Sequence, residues 1–173
     1  MNRPTRACAL TLLLSLAAVP AGAGPGGGLT WRAWDPGLRE ARASRRPVLV
    51  DVYTEWCGWC RRMDRDVYSR PEVKGYLDRA FVTVKLDAEA GDRAEYEGRT
   101  FTSRSLATRF RVSGYPTTIF LRPDGDHLVS VPGYIEPERF LVLLHYIADG
   151  AYDRGVSFPD YVKQVAGSTP PAR

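Results

Sequence analysis

The sequence has few cysteines, few histidines and no long block of charge of one sign. Among 173 residues there are 3 cysteines and 2 histidines, and 24 basic against 20 acidic residues give a formal net charge of +4. The thiols are too few for a framework of structural disulfides. Because the arginines are scattered and form no basic block interleaved with aromatic residues, the sequence argues against nucleic-acid binding. The composition, 44% hydrophobic and 25% charged, is that of one globular domain.

The amino-terminal residues 1–23 have the organisation of a secretory signal peptide. Arg3 and Arg6 provide a positive start, Ala7–Val19 is a short apolar stretch, and the small residues 21–23 suit a signal peptidase. The apolar stretch is too short to span a bilayer comfortably, which argues against a membrane anchor. We therefore expect an exported, periplasmic protein.

Three further segments follow from composition. Cys8 precedes the apolar stretch, so it cannot act as a lipoprotein cysteine and is expected to leave with the signal peptide. A glycine-rich linker is predicted over 24–30, a folded domain over 31–150 and a carboxy-terminal extension over 151–173. In the extension, apolar residues are expected to pack back on the domain: Tyr152, Phe158, Tyr161 and Val165.

The two remaining cysteines, Cys57 and Cys60, form a C-x-x-C motif where a predicted strand over 48–53 gives way to a helix. A helix start presents free N–H groups and partial positive charge, which favour a thiolate near neutral pH. The motif therefore predicts a redox site with Cys57 as nucleophile and Cys60 as resolving cysteine. The alternatives are a structural pair or half of a zinc site, but zinc needs about four ligands. Only His127 and His145 remain, both far along the sequence.

The rest of the chain alternates between strand and helix patterns. Apolar periodicity predicts helices over 35–43, 71–77, 105–110 and 137–148, and strands over 81–87, 118–121 and 128–131. Ser69 and Glu72 have the spacing of a capping box. The β-α-β succession predicts a parallel strand pair with a right-handed crossover. Residues 88–104 form a polar insertion in which Tyr96 and Phe101 serve either as a lid or as the anchor of a long loop.

In this order the chain resembles thioredoxin from about Val48 to Ile147. The landmarks are the aspartate of the first strand, the cysteine motif, a lysine, a proline loop and a late glycine: Asp51, Trp56-Cys57-Gly58-x-Cys60, Lys85, Gly114-Tyr115-Pro116-Thr117 and Gly133. The resemblance implies an α/β thioredoxin fold, a central mixed sheet of four to five strands flanked by helices, with an insertion before the proline loop. It implies no bound cofactor and no metal.

Asp51 is a lone carboxylate in an apolar strand, where burial would raise its pKa. The resemblance implies that it accepts the proton of Cys60 when a mixed disulfide resolves, with Lys85 helping. The alternative is an aspartate that reaches solvent at the strand end. We favour the functional role as proton acceptor, because lone carboxylates are rarely buried.

The resemblance also implies a substrate-binding surface. Pro116 is expected to follow a cis peptide bond, so that Tyr115 offers backbone groups to an extended substrate segment; an ordinary trans turn is the alternative. Trp56, Gly58 and Trp59 flank or separate the cysteines. We expect partner contact from Trp59, whereas Trp56 either shares that role or packs beneath the site.

The sequence departs from thioredoxin in features that indicate a subfamily. Trp59 replaces a proline, Arg65 lies near the place of the kinking proline, and the insertion lengthens the chain before Pro116. The insertion, the Pro132-Gly133-Tyr134 turn and the tail that begins Gly150-Ala151-Tyr152 resemble exported bacterial thioredoxins, most of all the periplasmic thioredoxins that accompany sulfur-oxidation systems. Strongly oxidising relatives carry histidine where Trp59 stands, so a reductase is favoured.

The expected function is reduction of disulfides in exported partner proteins. A membrane electron-transfer protein would resupply electrons, because the periplasm has no reducing buffer. With no dimerisation segment visible, we expect a monomer. A disulfide oxidase or isomerase, a thioredoxin-fold binding module with little turnover, and a copper(I)-delivery protein using the two thiolates are the alternatives.

Overall fold

The computed structural model describes residues 29–168, so the predicted signal peptide and Cys8 lie outside the described residues. This part contains the strands β1 Val48–Tyr53, β2 Val82–Asp87, β3 Arg93–Tyr96, β4 Arg99–Thr102, β5 Thr117–Leu121 and β6 His127–Pro132. Its α-helices are α1 Trp34–Ser44, α2 Gly58–Met63, α3 Pro71–Ala80, α4 Ser103–Arg109, α5 Pro137–Ala148 and α6 Phe158–Ser168. A π-helical turn, Asp64–Tyr68, continues α2, and a 3-10 turn, Ala151–Arg154, precedes α6.

The central sheet has the strand order β2-β1-β5-β6. β1 and β2 are parallel, which confirms the predicted β-α-β unit, whereas β5 is antiparallel to β1 and β6 is antiparallel to β5. Arg32 adds an isolated parallel bridge to Val84 on the outer side of β2. At the opposite edge, β6 is the outermost strand. The predicted mixed sheet is therefore confirmed, with four strands.

Helices cover both faces of this sheet. The side chains of β1 point alternately into two hydrophobic cores, one on each face. Val50 and Val52 pack in the core that contains α1 and α4, whereas Leu49 packs with Met63 and Phe140 in the core that contains α2, α3 and α5. Both faces of β1 are buried, as its nearly continuous apolar run requires. Its single charged residue, Asp51, must therefore be accommodated inside the protein.

The helix after the cysteine motif changes from α-helical to π-helical geometry at Asp64. Arg65, in this turn, lies near the position of the proline that the resemblance to thioredoxin would place here. The wider π-helical turn keeps Val67 and Tyr68 buried against the sheet. The capping box predicted at Ser69 and Glu72 is wrong. The Ser69 hydroxyl donates to the Arg65 carbonyl, and α3 begins without a side-chain cap.

The insertion at 88–104 is a small hairpin rather than an irregular loop. β3 and β4 pair antiparallel through the turn residues Glu97 and Gly98, whose φ angles of 49° and 70° suit a two-residue hairpin turn. The Tyr96 ring packs against Trp34 and Phe110, at centroid distances of 5.8 and 5.0 Å. Tyr96 therefore anchors the hairpin on α1 and α4.

The carboxy-terminal extension packs on α5 through aromatic side chains. The Tyr146 ring contacts those of Tyr152, Phe158 and Tyr161, and the Tyr161 hydroxyl donates to Asp149 Oδ2 over 2.6 Å. Burial and the Asp149 carboxylate raise the pKa of Tyr161 to about 12. Tyr152, Phe158 and Tyr161 thus make the predicted contacts of the extension with the domain. None of the helices within 29–168 is both long and apolar enough to cross a membrane.

Candidate active site

Cys57 and Cys60 form a disulfide at the start of α2. Their Cα atoms are 5.3 Å apart, and both residues are almost completely buried. Cys57 is the N-cap of α2, and its Sγ accepts the backbone N–H of Cys60 over 3.0 Å. The sulfur of Cys57 thus lies where the free N–H groups of the helix start converge. In the reduced protein the same groups favour its thiolate.

Asp51 meets Lys85 across the sheet because the two residues are register partners of β1 and β2. Lys85 Nζ lies 3.1 Å from Asp51 Oδ2, and Asp51 is only 2% exposed, so an aspartate that reaches solvent is excluded. The same ammonium lies 2.8 Å from Asp64 Oδ1 in the π-helical turn. The rings of Trp31 and Tyr53 enclose it further, at 5.1 and 4.8 Å from their centroids. One cation therefore pairs with two carboxylates.

Burial and the neighbouring charges have opposing effects on the pKa of Asp51. Burial raises the pKa of Asp51 to about 6, against the opposing attraction of Lys85, and the negative charge of Asp64 adds to the rise. Burial lowers the pKa of Lys85, but the two carboxylates outweigh it, so that its pKa is raised. Asp51 can therefore exchange a proton in the neutral range, whereas Lys85 stays charged.

Two buried hydroxyl groups share the surroundings of Asp51. Thr118 is its register partner on β5, and Tyr68 influences its protonation from the end of the π-helical turn. Within residues 29–168, Asp51 Oδ1, Tyr68 Oη and Thr118 Oγ1 have no hydrogen-bond partner of good geometry. Burial raises the pKa of Tyr68 well above its usual value, with the charge of Asp51 contributing. Tyr68 therefore stays protonated and is a potential donor to the carboxylate.

Two aromatic pairs contain the exposed tryptophans of the cysteine motif. Trp56 is 65% exposed, so it does not pack beneath the site; its ring lies 6.0 Å from that of Tyr115, and its Nε1 donates to Glu89. Trp59 is 54% exposed and lies 5.6 Å from the ring of Tyr134. Both tryptophans are thus available to a partner.

Arg62 lies over the second of these pairs. Its guanidinium is 5.0 Å from the Trp59 centroid and 5.1 Å from that of Tyr134. The pair is therefore held by a cation–aromatic contact as well as by ring packing.

The proline loop joins this surface to the sheet. The Tyr115–Pro116 peptide bond is cis, as predicted, and the Pro116 carbonyl accepts the N–H of Gly133 over 2.8 Å. Gly133 has a φ of 87°, a left-handed conformation that favours glycine. The structure thus joins the sequence-predicted residues in pairs, Asp51 with Lys85 and Trp56 with Tyr115, besides the disulfide itself.

Sequence reasoning missed Asp64 and Tyr68. Asp64 follows Cys60 by four residues, a spacing that places two side chains on one helical face and could have indicated it. Its contact with Lys85 joins residues 21 positions apart, which no local pattern shows.

Replacing Asp64 with asparagine is expected to lower the pKa of Asp51 below about 6. The variant removes a nearby negative charge and leaves Lys85 to pair with Asp51 alone. A pH titration of the Asp51 carboxyl carbon by NMR in the oxidised protein measures this. Asp66→Asn is the matched control, because Asp66 pairs with Arg62 and Arg65 instead. An unchanged pKa in Asp64→Asn would show that Lys85 is not shared electrostatically.

The site combines a C-x-x-C disulfide at a helix start with a cis-proline loop. The thioredoxin-like domain family matches residues 34–148, more than half of the chain. The chain therefore belongs to the thioredoxin-like family, whose members include redox enzymes.

Relatives of known type support this class. A thiol:disulfide interchange protein DsbD of Cronobacter sakazakii is 32% identical over 107 residues, which is 61% of this chain and 17% of that protein. DsbD 2 of Pseudomonas aeruginosa is 34% identical over 92 residues, 53% of this chain and 14% of that protein. The chain thus spans less than a fifth of the curated relatives it matches.

Solved structures show the same fold. A thioredoxin-fold protein of Helicobacter pylori superimposes with a TM-score of 0.63 at 20% identity, covering 72% of this chain and 82% of that chain. A thioredoxin of Thermus thermophilus superimposes with a TM-score of 0.57 at 29% identity, covering 70% of this chain and 88% of that chain.

Proposed function

We propose that this protein is a periplasmic thiol–disulfide oxidoreductase that reduces disulfides of exported partner proteins. The observation that carries the proposal is the position of Cys57 Sγ at the N-terminus of α2, where it accepts the Cys60 N–H. This is the environment that makes a cysteine nucleophilic near neutral pH. Relatives named as thiol:disulfide interchange proteins support the same chemistry.

The proposed reaction has two exchanges. The Cys57 thiolate attacks one sulfur of the partner's disulfide, forms a mixed disulfide and releases the other partner sulfur as a thiolate. The Cys60 thiolate then attacks Cys57 Sγ, which releases the partner's second thiolate and closes the Cys57–Cys60 disulfide. Two electrons have passed from this protein to the partner.

Asp51 is proposed as the proton acceptor of Cys60. Its raised pKa of about 6 leaves it largely ionised at neutral pH, yet close enough to neutrality to take up a proton. Lys85 is proposed to set this proton affinity through its contacts with Asp51 and Asp64.

Partner binding is assigned to the surface around the disulfide. The exposed rings of Trp56 and Trp59 provide apolar contact area, and Gly58 adds no side chain between the cysteines. The cis-Pro116 loop offers Tyr115 backbone groups to an extended segment.

Reduction is the proposed direction. Asp51 and Lys85 match the thioredoxin pair, and Trp59 stands where strongly oxidising relatives carry histidine. A membrane electron-transfer protein would then restore the dithiol. The similarity to periplasmic thioredoxins of sulfur-oxidation systems would make sulfur-oxidation proteins the partners, and the protein would act as a monomer.

The reduction potential of the Cys57–Cys60 pair tests the direction. Equilibration against glutathione with a mass-spectrometric readout is expected to give a value near that of thioredoxin, about −270 mV. A value toward that of the strong periplasmic oxidant, about −120 mV, would reverse the assignment and make the protein a disulfide donor.

A further inference from the structure

The outer edge of β6 runs beside an apolar groove. The groove has a volume of about 640 Å³, within the usual range of ligand pockets. One wall is β6 and the segment that follows it, and the other is α5 with the carboxy-terminal extension: Leu128, Val131, Tyr134, Leu143, Tyr152 and Phe158. A second, shallower cavity lies along β6 as well, lined by Phe110, Val112 and Ser130 among others. A strand added at this edge would have a cavity for each of its two faces.

The backbone of β6 is prepared for such a strand. Gly133 donates to Pro116, and hydrogen-bonded pairs alternate in an antiparallel ladder, so Val131 and Val129 make the next bonded pairs with β5. The N–H and C=O groups of Ser130 consequently point outward. Pro132, which lacks an N–H, occupies the next outward-facing position, where β5 needs no donor.

Side-chain charge does not discourage pairing on β6, and because of Pro132 an added strand would meet the outward N–H of Ser130 and the outward carbonyls of Ser130 and Pro132. Outer strands usually carry lysine or another charge that blocks association, but β6 has the sequence His127-Leu128-Val129-Ser130-Val131-Pro132, without a lysine, arginine or carboxylate. Val129 is 37% exposed and lines both cavities.

The groove is continuous with the redox surface. It extends past the end of β6 to Tyr134, whose ring packs against that of Trp59, the residue before Cys60. The same end of β6 is tied to the cis-proline loop through the Gly133–Pro116 hydrogen bond. At about 3.3 Å per residue, the six residues of β6 offer an edge about 20 Å long.

We propose that this edge and groove bind an extended, apolar segment of the protein whose disulfide is exchanged. The segment adds as a strand to β6, with alternate side chains in the apolar groove, while its cysteine reaches Cys57. This inference rests on the proposed function and deepens it: partners are recognised by an apolar, strand-forming stretch beside the reactive cysteine.

Probe peptides test the proposal. Each peptide carries one cysteine in a mixed disulfide with thionitrobenzoate. A six-residue tail lies either before or after the cysteine, and it consists either of valine and threonine or of glycine and serine. Attack of the Cys57 thiolate on the peptide sulfur releases coloured thionitrobenzoate, and Cys60 then frees the peptide thiol. The reduced protein is expected to react with one of the valine–threonine peptides at least about tenfold faster than with its glycine–serine counterpart.

Two edge variants and a control complete the test. Ser130→Pro removes the outward N–H without removing a hydrogen bond to β5, and it is expected to abolish the faster reaction of the valine–threonine peptide. Ser130→Ala is expected to keep this gain in rate. Val129→Lys places a charge in the groove and is also expected to abolish it, which covers the case that the proline variant does not fold.

The outcomes separate this inference from the proposed function. A gain that is absent, or that survives both Ser130→Pro and Val129→Lys, would overturn the groove proposal. All variants are expected to react like the wild type with free dithiobis(nitrobenzoate), and a wild type inert toward that reagent would refute the redox function itself. A concentration-dependent dimer that Ser130→Pro dissociates would assign the edge to a second copy and overturn the proposal as well.

Discussion

Replacing Cys57 with serine is expected to lower the rate of disulfide reduction by at least about a thousandfold. The thiolate is the nucleophile, and a serine hydroxyl at the same helix start stays protonated at neutral pH. The rate is measured with pre-reduced protein and a small disulfide such as dithiobis(nitrobenzoate), so that partner recognition does not enter.

Cys60→Ser is the matched control for the order of the two cysteines. Because Cys57 can still attack while no resolving thiol remains, this variant is expected to accumulate a covalent adduct that intact-mass spectrometry detects. An adduct on Cys57→Ser instead would assign the attack to Cys60. Equal activity in both variants would refute the two-step mechanism.

Replacing Asp51 with asparagine is expected to raise the free energy of unfolding of the oxidised protein at pH 7. The folded-state pKa of about 6 lies above the ordinary value of 3.8, so the folded protein binds more protons than the unfolded chain between these values. Ionisation of Asp51 therefore destabilises the fold progressively as the pH rises from about 4 to 6. The advantage of the variant should grow over that window by on the order of 2–3 kcal/mol.

Urea unfolding at pH 4 and pH 7 measures this difference. The loss of the Lys85 ion pair opposes the gain, because it leaves the ammonium with Asp64 alone. A variant that is less stable than the wild type at pH 7, by the same amount as at pH 4, would show that the buried carboxylate carries no net penalty.

The same substitution is expected to slow resolution of the mixed disulfide near neutral pH. In the wild type the rate should fall as Asp51 is protonated below about pH 6, and the variant should be slow at neutral pH and lack this inflection. Thr118→Val is a suitable control, since Thr118 is buried beside Asp51 in the strand register but carries no charge. An inflection that persists in Asp51→Asn would refute the role of Asp51 as proton acceptor.

Local patterns predicted the fold and the centre of the site. The apolar run of β1, the C-x-x-C motif at a helix start and the Tyr115-Pro116 loop are each contained in a few consecutive residues, so the sequence displays them directly. The antiparallel hairpin of β3 and β4 was not predicted as such. Each of its strands is only four residues long, and Tyr96 becomes its anchor only once Trp34 and Phe110 are assembled.

Other features could not be predicted from local patterns, because they depend on which groups the folded structure brings within reach of one partner. Ser69 had the sequence of a cap, but the π-helical turn brought the Arg65 carbonyl within reach of its hydroxyl. The sharing of Lys85 between Asp51 and Asp64 likewise depends on a helix packing over a sheet. The apolar groove beside β6 needs the extension folded back on α5, so only its separate components could be predicted.

The pairing of Asp51 with Lys85 has a consequence for assembly of the sheet. A one-residue slip of β2 along β1 would place Val84 or Leu86 beside Asp51, and Lys85 would turn to the opposite face. The carboxylate would then be enclosed without its cation, at a cost of about 3–5 kcal/mol. The ion pair between Asp51 and Lys85 therefore also favours the correct register of the parallel strands. A chain in the wrong register would be less stable and would lack the pairing of Asp51 with Lys85 at the redox site.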